Sequence, residues 1–164
     1  MTNSGKWYPA RYKQIQTNQT VDAYIIGIDS NTGHSSAAWM VLDESGIVLD
    51  QNAFVSHGKS DERRGQSAAA YRALEILPYS GSIRFCTDNT GLIGNIVKYS
   101  SIDSLLTNSK GRKVSGAEIW SRFIECKRDK ALAVHVQFVN PHTEPHKSRF
   151  TALRELAARA LNEK

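Results

Sequence analysis

The chain is poor in cysteine. Its 164 residues include only Cys86 and Cys126, too few for a disulfide framework and without the spacing of a metal site. Both sit among apolar neighbours and read as reduced core residues of a cytoplasmic protein. No apolar run approaches the roughly 20 residues of a membrane span, and the N-terminus lacks the apolar core of a secretory signal. There is no internal repeat and no low-complexity tract, which leaves no place for a repeat architecture. Neither sign of charge dominates: 21 Lys and Arg against 16 Asp and Glu give a net charge of +5 and a pI near 9.3. That modest excess favours polyanions without requiring one. The length suits one domain with a real core.

What is present is organised around Ala23-Tyr24-Ile25-Ile26-Gly27-Ile28-Asp29-Ser30-Asn31. An apolar, β-branched-rich run reads as a strand buried on both faces, and it stops at a carboxylate followed by turn-forming residues. A charge held at the rim of a core needs a cation, so Asp29 is a metal ligand or half of an ion pair, unless it is only a turn residue. The same grammar recurs in Ser82-Ile83-Arg84-Phe85-Cys86-Thr87-Asp88-Asn89, ahead of a helix opening near Gly91. If the two strands are parallel neighbours, both carboxylates fall in one crevice, where open α/β sheets bind ligands.

Residues 1–20 form an N-terminal extension and 21–164 the domain. In the extension Trp7, Tyr8 and Tyr12 alternate with Lys6, Arg11 and Lys13. This pattern could stack on bases, although docking against the domain or disorder is the plainer expectation. Strands over 35–42 and 47–55 flank the polar linker Asp43-Glu44-Ser45-Gly46 and predict an antiparallel hairpin. A helix follows over Gly65 to Leu77, stopped by Pro78, then the Asp88 strand and a helix to about Tyr99. Residues 100–116 are Ser-rich with Lys110-Gly111-Arg112-Lys113, and Ile119, Trp120, Phe123 and Ile124 mark a third helix. Ala133 to Val139 is the last strand, with Val134, Val136 and Phe138 on one face. Asn140 to Ser148 is a loop, and Leu153, Leu156, Ala157 and Ala160 stripe a final helix.

This order and its landmarks resemble the ribonuclease HI family from about Ala23 to the C-terminus. The carriers are Ile28-Asp29-Ser30-Asn31, Cys86-Thr87-Asp88-Asn89, Ala73-Leu74-Glu75-Ile76-Leu77, the basic segment from Lys110 to Trp120, and Glu155-Leu156-Ala157. The resemblance implies an α/β ribonuclease H-like fold, a five-stranded mixed sheet with helices on both faces. It further implies Mg²⁺-dependent (Mn²⁺ possible) hydrolysis of the RNA strand of RNA–DNA hybrids, with a quartet of carboxylates on a pair of metal ions. Asp29 and Asp88 match metal-ligand positions. Ser30, Asn31, Asn89, Lys110, Arg112 and Lys113 match the places of hybrid contacts, and His142 or His146 that of a loop histidine assisting proton transfer.

Two positions of the quartet depart from the pattern. Counting from Ala73-Leu74-Glu75 puts Gln66 where a glutamate is expected, and counting from Glu155-Leu156-Ala157 puts Arg154 where an aspartate is expected at the start of the last helix. The four positions then carry one net negative charge instead of four, which poorly offsets the repulsion of a metal pair. Arg154 could instead close the crevice as the partner of Asp29 and Asp88. A shift of register would bring in Glu62 or Glu155, but one residue rotates a helical side chain by about 100°, and the apolar stripe already sets the buried face. Gln66 could still ligate Mg²⁺ weakly through its carbonyl oxygen. The expectation is a ribonuclease HI-like protein acting on or binding hybrids with a degenerate active site and weak or lost hydrolysis. The alternative is an inactive module of the same fold that binds nucleic acid or a protein partner.

Overall fold

The computed structural model describes residue 15 and residues 18–29, 34–56, 62–102 and 117–162, without the side chains of Asp29, Ser56, Glu62, Arg63 and Arg64. Strands β1 (Thr20–Asp29), β2 (Ser35–Leu42) and β3 (Val48–Ser56) come first. Then follow α1 (Glu62–Glu75), β4 (Ser82–Thr87), α2 (Thr90–Ser100), α3 (Ala117–Asp129), β5 (Ala133–Phe138) and α4 (His146–Asn162). The sheet order is β3-β2-β1-β4-β5. The β1–β2 and β2–β3 pairs are antiparallel and the β1–β4 and β4–β5 pairs parallel, giving the mixed sheet that the sequence led us to expect.

The period-2 pattern of a strand decides what each residue meets. On one face Val21, Ala23 and Ile25 of β1, Ala37, Trp39 and Val41 of β2, and Ile83 and Phe85 of β4 join the larger core under α1, α2 and α3. On the other, Tyr24, Ala38, Met40, Leu42 and Cys86 pack against Phe150, Leu153 and Ala157 of α4. The central strand is thus buried on both faces because helices cover both. The β2–β3 turn is set by Asp43, whose Oδ1 accepts from the N–H groups of Ser45 and Ile47 at 2.8 and 2.9 Å. Gly46 supplies the positive φ (84°) that the turn requires.

Three expectations are adjusted. Helix α1 starts at Glu62, ahead of Gly65, and ends at Glu75, because Leu77 closes a tighter turn by donating its N–H to the Leu74 carbonyl at 3.2 Å before Pro78. On edge strand β5, Val134 and Val136 pack against the larger core, but Phe138 is 61% exposed at the strand's end. Helix α4 begins at His146, inside the segment read as loop. Glu144 holds this start: its carboxylate accepts from the Ser148 hydroxyl and from the Ser148 N–H at 3.1 Å, which also keeps its pKa below the usual carboxylate range. In the N-terminal segment, Ile15 is buried in the larger core and donates its N–H to the Ile76 carbonyl at 2.8 Å.

Burial pushes the thiols of both Cys86 and Cys126 up to about 11, as befits inert core residues. Among the described residues no helix is long and apolar enough to cross a membrane.

Candidate functional site

The two candidate aspartates follow the C-terminal end of the parallel β1–β4 pair, at different levels. The two strands pair from Thr20↔Ser82 to Tyr24↔Cys86. Asp29 follows five residues after Tyr24 and Asp88 two after Cys86, a stagger of three residues or roughly 10 Å of strand. The backbone of Asp29 closes β1 opposite Ser35, and its side chain lies outside the described set. Asp88 is exposed just past the end of β4.

Asn89 ties three elements together there. Its N–H donates to Thr87 Oγ1 at 3.1 Å, and its Oδ1 accepts from the Leu92 N–H at 3.0 Å, capping α2. Its Nδ2 donates to Gln66 Oε1 at 2.9 Å. Gln66 is 7% exposed on α1, so its amide is held at the rim of the core by this bond. Gln66 thus lies beside the end of β4, and Asn89, expected as a substrate contact, is here a helix cap and a cross-link between α1 and α2.

Arg154 is the ninth residue of α4 and not at its start, because the Glu144 bonds begin the helix earlier. It is exposed, and its Nη2 donates at 3.4 Å to Thr151 Oγ1 on its own helix. Among the described residues it forms no ion pair, and the closure over Asp88 does not occur. His142 is exposed in the β5–α4 loop, with its backbone N–H on Asn140 Oδ1 at 2.9 Å. Ser30, Asn31, Lys110, Arg112 and Lys113 lie outside the described residues.

Sequence reasoning missed a polar cluster under α4. The Tyr24 hydroxyl is 2.8 Å from His146 Nδ1 and accepts from Arg149 Nη1 at 2.9 Å, with the guanidinium carbon 5.2 Å from the centroid of the Tyr24 ring. With Arg149 donating to the phenol oxygen, the Tyr24 hydroxyl proton is free to bridge to His146 Nδ1. Burial, first, and then Cys86 raise the Tyr24 pKa, outweighing Arg149 and keeping the phenol protonated. His146 is thus engaged in holding α4 to the sheet. The only hint in the sequence was a tyrosine inside an otherwise aliphatic strand.

No protein-family model matches the sequence, and no curated protein matches it. Solved structures do. RNase H1 from the halophilic archaeon Halobacterium salinarum NRC-1 superposes with a TM-score of 0.60 at 16% identity, over 88% of this chain and 99% of that one. The PFV RNase H domain gives 0.64 at 14%, over 87% and 93%. LC11-RNase H1, solved in complex with an RNA/DNA hybrid, gives 0.61 at 13%, over 87% and 97%. The fold is ribonuclease H-like.

On this ribonuclease H-like frame the described donors do not make the carboxylate quartet that the resemblance implies. Asp88 is the one carboxylate described at the quartet positions, Gln66 has its carbonyl oxygen engaged by Asn89, and Arg154 is a cation. No group of three or more His, Cys, Asp or Glu side chains able to hold a metal occurs among the described residues. The Gln66–Asn89 link nevertheless matters to stability. Asn89→Ala removes the α2 cap and leaves a buried amide oxygen without its donor, so a loss of about 2–3 kcal/mol is expected in urea unfolding. Asn89→Asp keeps the cap acceptor and loses only the donor to Gln66, so it should cost distinctly less.

Proposed function

We propose that this chain binds RNA–DNA hybrids across the rim formed by Asp29, Asp88, Asn89 and the start of α1, and that Mg²⁺- or Mn²⁺-dependent hydrolysis of the RNA strand there is weak or lost. The observation that carries the reading is the buried Gln66 amide joined to Asn89 at 2.9 Å, at the position where the family pattern has a carboxylate. A neutral amide already engaged by a donor offers a divalent cation far less than a carboxylate does. Support for the hybrid as ligand comes from the fold, from the basic excess of the chain, and from the hybrid-bound LC11-RNase H1 neighbour. Ser30, Asn31 and the basic residues Lys110, Arg112 and Lys113 complete the proposed contacts, and His142 remains the proposed proton carrier for any residual hydrolysis.

The test is an end-labelled hybrid incubated with wild type and with Asp88→Asn, in Mg²⁺ and in Mn²⁺, alongside binding measured in EDTA. The expected outcome is saturable binding in EDTA and cutting barely above buffer. Rapid cutting by wild type that disappears in Asp88→Asn would overturn the claim of weak hydrolysis. Failure to bind hybrid would overturn the whole reading in favour of a module for another partner.

A further inference from the structure

We infer that Arg154 is a phosphate-binding residue: its guanidinium grips the nucleic-acid backbone beside the Asp88–Asn89 rim, a direct cationic contact where a carboxylate would otherwise face metal ions. This deepens the hybrid-binding reading and rests on it.

The rotation of α4 is fixed by its buried stripe, Phe150, Leu153 and Ala157. At about 100° per residue, Arg149 and Leu156 fall on one flank of that stripe, and Lys147 and Arg154 on the other. Arg149 identifies the first flank. A Cβ added to Gly46, in the β2–β3 turn, would lie 3.4 Å from its Nη2. Leu156, on the same flank, is partly buried against the smaller core. Since α4 lies over β1, β2 and β3, the opposite flank looks across β1 toward β4, whose end carries Asp88 and Asn89.

Arg154 is exposed on that flank, and its one described bond, 3.4 Å to a threonine hydroxyl, is weak. Lys147 stands two turns earlier on the same edge, partly offset by Glu144. Glu155 is the single acid within α4, and it points a quarter-turn or more away from Arg154. An exposed guanidinium without an acidic partner among the described residues, on the flank of α4 turned toward β4, suits bidentate contact with a phosphodiester.

The experiment is fluorescence anisotropy of a labelled RNA–DNA hybrid in EDTA across a KCl series, with wild type, Arg154→Ala, Arg154→Lys and Arg159→Ala. Arg159 is exposed on the outer side of the same helix and carries the same charge. Arg154→Ala should weaken binding about tenfold and lower the slope of log affinity against log salt by about one, and Arg154→Lys should keep the slope while losing part of the affinity. Arg159→Ala should stay within about twofold of wild type. Equal effects of the two alanine variants would overturn the inference, as would a wild type that binds hybrid with Arg154→Ala unchanged. A wild type that does not bind hybrid overturns the underlying reading and this inference together.

Discussion

The double variant Gln66→Glu/Arg154→Asp is expected to cut the RNA strand of an RNA–DNA hybrid in Mg²⁺ at least about tenfold faster than wild type. The change turns one net negative charge over the four quartet positions into four, which is what a pair of divalent cations needs to offset its own repulsion. Neither substitution disturbs packing. A glutamate at 66 still offers a carboxylate oxygen to Asn89 Nδ2, so the cross-link between α1 and the end of β4 survives. Arg154 is exposed, and replacing it leaves the buried stripe of α4 intact. Because the quartet acts as a unit, each single variant should recover less than its share of the double, and the shortfall measures their coupling. Gel analysis of cleavage by the two singles and the double is the check. The comparison is made at saturating hybrid, because loss of the Arg154 guanidinium weakens binding; no gain there would mean that the deficit lies in the rim's geometry and not in its charge.

A large loss of stability is expected for Phe85→Ala. Phe85 is 1% exposed on β4, flanked by Ala23 of β1 and Val136 of β5, with its ring 6.4 Å from that of Phe123. Removing a fully buried phenyl group costs about 3–5 kcal/mol, from lost transfer free energy and the cavity left behind. For a domain of this size that is a fall in Tm on the order of 10 °C. Phe138→Ala is the matched control: the same residue type, 61% exposed at the end of β5, should change stability by no more than about 0.5 kcal/mol. Thermal and urea melts of the two variants side by side decide the matter, and similar losses would contradict the burial described for β4.

Most of the fold was legible because it depends on local signals. The aliphatic run before Asp29, the Asp43 to Gly46 linker and the helical spacing of Ile119, Trp120, Phe123 and Ile124 each name an element without reference to the rest of the chain. Counting from a helical anchor singles out Gln66, and α1 carries that residue to within a hydrogen bond of Asn89 at the end of β4. What escaped depends on partners far apart in sequence or on side chains that could serve two ends. The bond from Tyr24 to His146 spans 122 positions, and no periodicity predicts it. Asn89 could cap a helix, pair with an amide or meet a ligand, and only the position of α1 decides among these. The start of α4 was misplaced because a proline and polar residues read as loop, while the glutamate at 144 supplied the bonds that begin a helix.

The tyrosine beneath α4 has a mechanical consequence. Apolar contacts such as those of Phe150, Leu153 and Ala157 tolerate sliding, since one methyl group is much like the next to a facing strand. The Tyr24 oxygen does not: it meets His146 and Arg149 at 2.8 and 2.9 Å in one axial position of the helix only. It acts as the pin in a vernier, converting a greasy bearing into an indexed one. A helix slipped by a single residue would swing Arg154 off the rim by about 100°, so a buried phenol on the central strand sets the aim of an exposed guanidinium two turns along the helix.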